Sequence, residues 1–166
     1  MRLTHRPTAR PTRSRAAAVR AGIAILLGVT AATLASAAPA SAAPGTAAAP
    51  VIRFSPDWST TVEGAIVANA PVLIDFDPAR LPACRAQYAG GDAWSIGVEY
   101  RIDGGAVQRR PVTELNSNRR QVKVLASLAL GAGTQELELW FVSGDRAGCR
   151  EYDSQYGANY RFAVAS

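Results

Sequence analysis

The chain has 166 residues, 18 Lys plus Arg, 13 Asp plus Glu and a formal charge of +5, which taken whole suggests a small basic protein with an anionic partner. The charge is uneven, however. Six arginines (Arg2, Arg6, Arg10, Arg13, Arg15 and Arg20) lie before Ala43 with no acid among them, and from Ala43 onward the other 12 basic residues face all 13 acids, a net charge of −1. A near-neutral remainder argues against nucleic acid and points to uncharged ligands or partners.

Residues 1–42 read as a secretory signal peptide. Met1 to Arg20 is arginine-rich and free of acids, and Ala21 to Ala35 is an unbroken run of apolar and small residues. That run has the length of a signal-peptide core and is short for a membrane span, so an uncleaved anchor is the lesser alternative. Ala40-Ser41-Ala42 fits an A-x-A cleavage site, which predicts a secreted, extracellular protein cut near Ala42. No Cys adjoins the cut to carry a lipid, and no Arg-Arg pair precedes the apolar run, so the ordinary export route is expected. Residues 43–50 then read as a flexible leader, and 51–166 as one domain.

Cleavage removes His5, the sole histidine, and with it any His-based triad, general base or His-containing zinc site. Cys84 and Cys149 both remain. An even pair in an oxidising compartment is expected to form one disulfide, closing a loop of 65 residues. In the entropy account such a loop contributes about 4 kcal/mol. The competing reading, a reactive thiol, has no histidine to activate it. No metal or other cofactor is expected.

From Val51 the hydrophobic period is two. Strands are predicted at Val51–Phe54 and Val62–Val67, and Val72, Ile74 and Phe76 mark a third. Trp94, Ile96, Val98, Tyr100 and Ile102 alternate with Ser95, Gly97, Glu99 and Arg101 to give one wet and one buried face. Asp103-Gly104-Gly105 is a hairpin turn leading into Val107–Val112. Val122, Val124 and Leu128 form one further run, Leu137, Leu139 and Phe141 another, and Tyr160–Val164 the last. Two longer loops, Asp77 to Ala93 and Gly144 to Asn159, each hold one Cys. Some eight short strands predict an all-β, antiparallel sandwich with one disulfide, a closed barrel being the alternative that period alone leaves open.

Asp75 and Asp77 form a D-x-D at a strand end, which suits paired carboxylates of a hydrolase or part of a calcium site, although an Asp before Pro78 more often caps a turn. The arginines after Ala43 are scattered; Arg109-Arg110 and Arg119-Arg120 are the only basic pairs, with Glu114 between them, which is not the clustered positive face that phosphate binding needs. Aromatics carry the stronger signal. Trp140 falls with Glu136 and Glu138 on the polar side of its strand, Trp58 follows Pro56-Asp57 in a loop, and Tyr152, Tyr156 and Tyr160 crowd the C-terminal loop. Flat rings beside amides and carboxylates are what a sugar needs, its apolar face stacking and its hydroxyls hydrogen-bonding. The alternative is that these tyrosines anchor the loop, as a tyrosine corner does.

Arg80-Leu81-Pro82-Ala83-Cys84-Arg85, Trp94, Tyr100-Arg101-Ile102-Asp103-Gly104-Gly105 and the stretch from Gly148 to Phe162 resemble a family of secreted bacterial domains of unknown function. The resemblance supports the sandwich and the disulfide and implies no reaction. The closing stretch is also similar to the C-terminal motif of starch- and glycogen-binding modules. Tyr152 stands for the Trp of that motif, Asp153, Gly157, Asn159 and Tyr160 match, and Ser154 and Gln155 replace its paired Asn. The expectation is a non-catalytic module that binds polysaccharide or cell-surface glycan through Trp58, Tyr152, Asp153, Gln155, Asn159 and Tyr160. An exported protein-binding domain is the alternative, and a carboxylate-dependent hydrolase comes third.

Overall fold

A computed structural model describes residues 48–166. The expected signal peptide, and the leader up to residue 47, lie outside the described residues. Pro50, at the end of that leader, is buried, and its carbonyl accepts from Leu73 N at 2.9 Å.

The fold is all-β. The strands are β1 Val51–Phe54, β2 Thr60–Glu63, β3 Pro71–Phe76, β4 Gln87–Tyr88, β5 Gly91–Asp92, β6 Trp94–Ile102 and β7 Gln108–Pro111. They continue with β8 Thr113–Leu115, β9 Gln121–Lys123, β10 Ala126–Ala129, β11 Glu136–Asp145, β12 Arg150–Asp153 and β13 Tyr160–Ala163. One sheet has the order β10-β3-β1-β2; in the other, β7, β6 and β11 are followed by β12 and β13, which share the outer edge of β11. Pairing is antiparallel except between β1 and β3, where Ile52 lies beside Ile74 and Phe54 beside Phe76. The chain reaches that parallel register by first turning back through β2 and crossing over.

The period-two residues face each other across the sandwich. Ile52, Phe54, Ile74, Phe76 and Leu128 of the first sheet meet Ile96, Val98, Leu137, Leu139 and Phe141 of the second, all buried. Phe141 bridges them, edge-on to Phe54 at 4.6 Å and stacked on Phe76 at 3.9 Å. The sheets stay distinct, which decides for the sandwich over the barrel, yet single bonds lace their margins. Val124 N donates to Val112 O at 3.0 Å on one side and Ala68 N to Ala165 O at 2.7 Å on the other.

The structure departs from the expected strands in four places. The second strand ends at Glu63 instead of running to Val67. The run Val122 to Leu128 divides into β9, which pairs with β8, and β10, which crosses to the first sheet beside β3. Small hairpin strands β4 and β5 occupy the first long loop. The second long loop contains β12, whose inward residue is the carboxylate of Asp153 and therefore gives no apolar alternation.

Cys84 and Cys149 form a disulfide with Cα atoms 5.2 Å apart, joining the two loops as expected. Ala83 N donates to Glu151 Oε2 at 2.9 Å beside it. Among the described residues no helix is long and apolar enough to cross a membrane.

Candidate functional site

The edge of β11 explains how the site forms. β12 pairs with Phe141 to Gly144 and β13 with Glu136 to Leu139, so both follow the same edge in the same direction. Only the position opposite Trp140 is skipped, and there the chain leaves the sheet for the six residues Ser154 to Asn159. Asn159 N to Ser154 O at 2.8 Å closes the neck of this excursion. Gln155, Tyr156, Gly157 and Asn159 all have positive φ, the tightest demand falling on Gly157 at 93°. Left-handed backbone at three non-glycine residues is costly and persists only where the surroundings impose it. Its effect is to lift Tyr156 fully into solvent.

The facing wall is the β1–β2 turn. Ser55 N bonds Ser59 O at 3.0 Å, Trp58 N bonds Ser55 O at 3.1 Å, and Trp58 takes a φ of 67°. The Asp57 carboxylate accepts from the Ser59 hydroxyl at 2.7 Å and the Ser59 amide at 3.0 Å, and these bonds hold it below the usual carboxylate range.

Between the walls lies a buried arginine. Asp77 accepts from Ala79 N at 2.8 Å and so caps the 3-10 turn Pro78–Arg80, which aims Arg80 inward until it is 1% exposed. Its Nε donates to Asp153 Oδ2 at 2.8 Å and its Nη2 to the Tyr160 hydroxyl at 2.6 Å. Nη1 donates to the carbonyls of Ser59 and Ser55 at 3.1 and 3.2 Å. The Tyr160 hydroxyl in turn donates to Asp153 Oδ1 at 2.5 Å. Burial, and next this bond, push that hydroxyl well above the ordinary tyrosine range. The Trp58 ring covers the guanidinium at 4.7 Å. One cation thus fastens the β1–β2 turn to both ends of the excursion.

Above it opens a groove of about 740 Å³ lined by Trp58, Thr60, Tyr152, Gln155, Tyr156 and their neighbours. Trp58 and Tyr152 are 60% and 59% exposed, so both rings are available on the same groove. Of the six site residues expected from the sequence, Trp58, Tyr152 and Gln155 present groups to it. Asp153 and Tyr160 lie beneath, buried, with their polar atoms bound to Arg80 and each other. Asn159 lies on the far side of the excursion, lining a second depression of about 480 Å³. Its Nδ2 donates to Glu138 Oε1 at 2.7 Å.

Tyr160 therefore anchors the loop, the alternative weighed for it in the sequence. Arg80, Thr60, Ser154 and Tyr156 also line the groove; in sequence Tyr156 stands out only as one of three loop tyrosines and Ser154 only as a departure from the glycan-binding motif, while Arg80 and Thr60 are not expected there. For Arg80 the available signal was Asp77-Pro78, which predicts a turn over the next residues but not the direction of the Arg80 side chain.

The D-x-D carboxylates part company. Asp75 is buried between Arg53 and Lys123, the latter at 2.7 Å from its Oδ1, and Asp77 serves as the cap already described. Among the described residues no group of three or more His, Cys, Asp or Glu is placed to hold a metal. Trp140, on the outer face of its sheet, donates from Nε1 to Glu99 Oε2 at 2.9 Å, with the Arg101 guanidinium 5.6 Å from its ring.

Over residues 47–166 the chain matches a family described as a family of unknown function, DUF6209. No curated protein and no solved structure matches it.

Proposed function

This chain belongs to DUF6209, a family of unknown function, and from its own groove we propose that it is a secreted, non-catalytic module binding a polysaccharide or cell-surface glycan. The observation that carries the reading is the meeting of three exposed rings, Trp58, Tyr152 and Tyr156, around one open groove that also offers Thr60, Ser154 and Gln155. Rings supply stacking area for the apolar faces of sugars, and hydroxyl and amide groups between them take the ring hydroxyls. The floor is rigid because Arg80 fixes both walls, so little ordering is lost on binding. The carboxylate lining the groove, Asp153, is held by Arg80 and Tyr160, which favours binding over acid–base chemistry. The disulfide favours export, since such bonds persist in oxidising compartments.

Affinity electrophoresis in gels containing glucans, chitin or peptidoglycan fragments tests this. Retardation by at least one polymer is expected, with Trp58→Ala and Tyr152→Ala migrating freely. Absence of retardation in every gel, or retardation that both variants keep, sinks the reading. Capture of one protein partner through the same rings favours the protein-binding alternative instead.

A further inference from the structure

We propose that the outer face of the second sheet, next to the groove, is a cationic subsite, and that the sugar chain bound is therefore an acidic one. This rests on the glycan reading of the groove and narrows it. Arg109 of β7, Arg146 of the β11–β12 turn and Arg150 of β12 line one depression of about 430 Å³ together with Trp94 and Ser95. In sequence these arginines look scattered; the antiparallel order β12-β11-β6-β7 gathers them.

The cations there outnumber the acids that line the depression with them, Asp92 and Asp145. Elsewhere the acids are consumed: Asp153 by Arg80, Asp75 by Arg53 and Lys123, and Glu136 and Glu138 by Arg161. Within the depression, Asp145 caps its own turn through Ala147 N and Cys149 N, at 2.9 and 3.0 Å. Asp92 takes Gln121 N at 2.7 Å and Arg120 at 3.2 Å. Among the described residues Arg146 and Arg150 have no carboxylate within 4.0 Å, and Arg109 has Glu99 only at 3.9 Å. Three arginines thus share the depression with two aspartates whose oxygens are already engaged, which leaves its lining net positive in a domain of nearly zero net charge.

Two glycines make room for this face. A Cβ at Gly97 would collide with Arg109 Nε, and one at Gly144 would collide with Arg150 Nη1. Both guanidinium groups therefore lie against bare backbone on a rigid sheet. Side chains supported in this way lose less freedom when an anion arrives than free surface arginines do. Their planar forks suit carboxylate and phosphate oxygens.

The subsite is continuous with the groove. Tyr152 pairs with Val142 and Arg150 with Gly144, so ring and cation sit two residues apart on the same side of β12. That spacing is about 7 Å along the strand. A polymer whose sugar stacks at Tyr152 passes next over Arg150. The shared chemistry is an oxyanion repeated along a glycan, from uronate carboxylates or from phosphodiesters.

The test titrates the exported protein, residues 43–166 with the disulfide oxidised, with oligogalacturonate, with phosphomannan and with neutral galacto-oligosaccharide of matched length. At least one acidic probe is expected to bind about tenfold or more tighter than the neutral one, an advantage that shrinks with added salt. Which acidic probe binds separates carboxylate from phosphate. Arg109→Gln with Arg150→Gln should bring the acidic probe down to the neutral level at an unchanged melting temperature, while Arg150→Lys keeps part of the advantage. Equal binding of acidic and neutral probes, or full acidic binding by the double variant, overturns the inference and leaves the groove reading standing. Tighter binding of an oligodeoxythymidylate than of either acidic glycan overturns it as well. No binding of any of the three probes overturns the inference, and the groove reading falls with it only if no glucan, chitin or peptidoglycan gel retards the protein, whereas acidic binding that Trp58→Ala keeps overturns the link to the groove.

Discussion

The two edges of β11 make a controlled comparison within one strand. Along one edge it pairs with β6 without a break, from Leu137 opposite Ile102 to Asp145 opposite Trp94. Along the other it pairs with β12 and β13 and loses its partner at Trp140, where six residues leave the sheet. The continuous edge is held by the ladder and by apolar side chains such as Ile96 and Val98. The broken edge gives up backbone pairing and adopts left-handed geometry at three non-glycine residues. What offsets this is a polar clamp, Arg80 with Asp153 and Tyr160, in a position where a sandwich ordinarily has only hydrocarbon. An edge supported by packing tolerates change gradually; one supported by a buried ion pair fails when either partner is lost.

The largest effect expected is therefore at Arg80. Arg80→Met strands the Asp153 carboxylate in the interior and should lower unfolding free energy by about 3–5 kcal/mol. In urea denaturation, Ile96→Val on the continuous edge should cost only about 0.5–1.5 kcal/mol. Similar losses for the two would break the comparison. Pairing Arg80→Met with Asp153→Leu should recover much of the loss, since the unpaired charge is then gone.

Next in size is the covalent tie. Cys84→Ser with Cys149→Ser should cost about 2–4 kcal/mol in the same assay, with protease cleavage appearing first in the two joined loops. A free-thiol titration of the denatured wild-type protein should find none.

Alkaline pH sharpens the contrast further. The Tyr160 hydroxyl ionises well above its ordinary value of 10.0 in the folded protein. Its folded-state value is raised, so above about pH 10 the unfolded chain gives up this proton while the folded one keeps it, and stability falls with rising pH. The contribution is complete below pH 10 and is lost progressively above it. Melting temperature should therefore decline from about pH 10 upward, less steeply in Tyr160→Phe, and a decline of equal slope in both would count against the clamp.

The smallest effect on stability belongs to the tip. Tyr156→Ala should change unfolding free energy by less than about 0.5 kcal/mol. It should nonetheless reduce retardation in whichever glycan gel retards the wild type, separating a ring that binds from residues that hold it.

The same comparison explains what the sequence made legible. β6 and the first half of β11 alternate in residue type because one side of each meets the core and the other carries polar or half-buried residues such as Ser95, Glu99, Glu136 and Trp140, the pattern that hydrophobic period detects. β12 escapes that test because its inward residue is Asp153, and nothing local tells that a carboxylate has an arginine waiting 73 positions upstream. β9 and β10 merge in sequence because Val122 to Leu128 keeps its apolar rhythm through the point where the chain changes sheets. In the groove, Trp58 and Tyr152 were visible as rings in loops, where packing gives them no reason to be. Asp153 and Tyr160 carry the same residue chemistry, but their direction is set by Arg80. The gathered arginines were beyond reach altogether, since their neighbourhood is created by strand order.

The disulfide and the clamp join the same two segments. Arg80 lies four residues before Cys84, and Asp153 four residues after Cys149. The two links therefore close nearly the same chain loop, one by a bond that needs an oxidant and one by attraction that needs none. Forming either link brings the partners of the other into the same neighbourhood. Once the bond is made, the segments cannot drift apart, and an opening of the clamp meets its counter-ion again at high effective concentration. Groove opening and global unfolding thereby become separate events, which amide exchange at Asn159 and Ile96 would resolve as a fast class and a slow one.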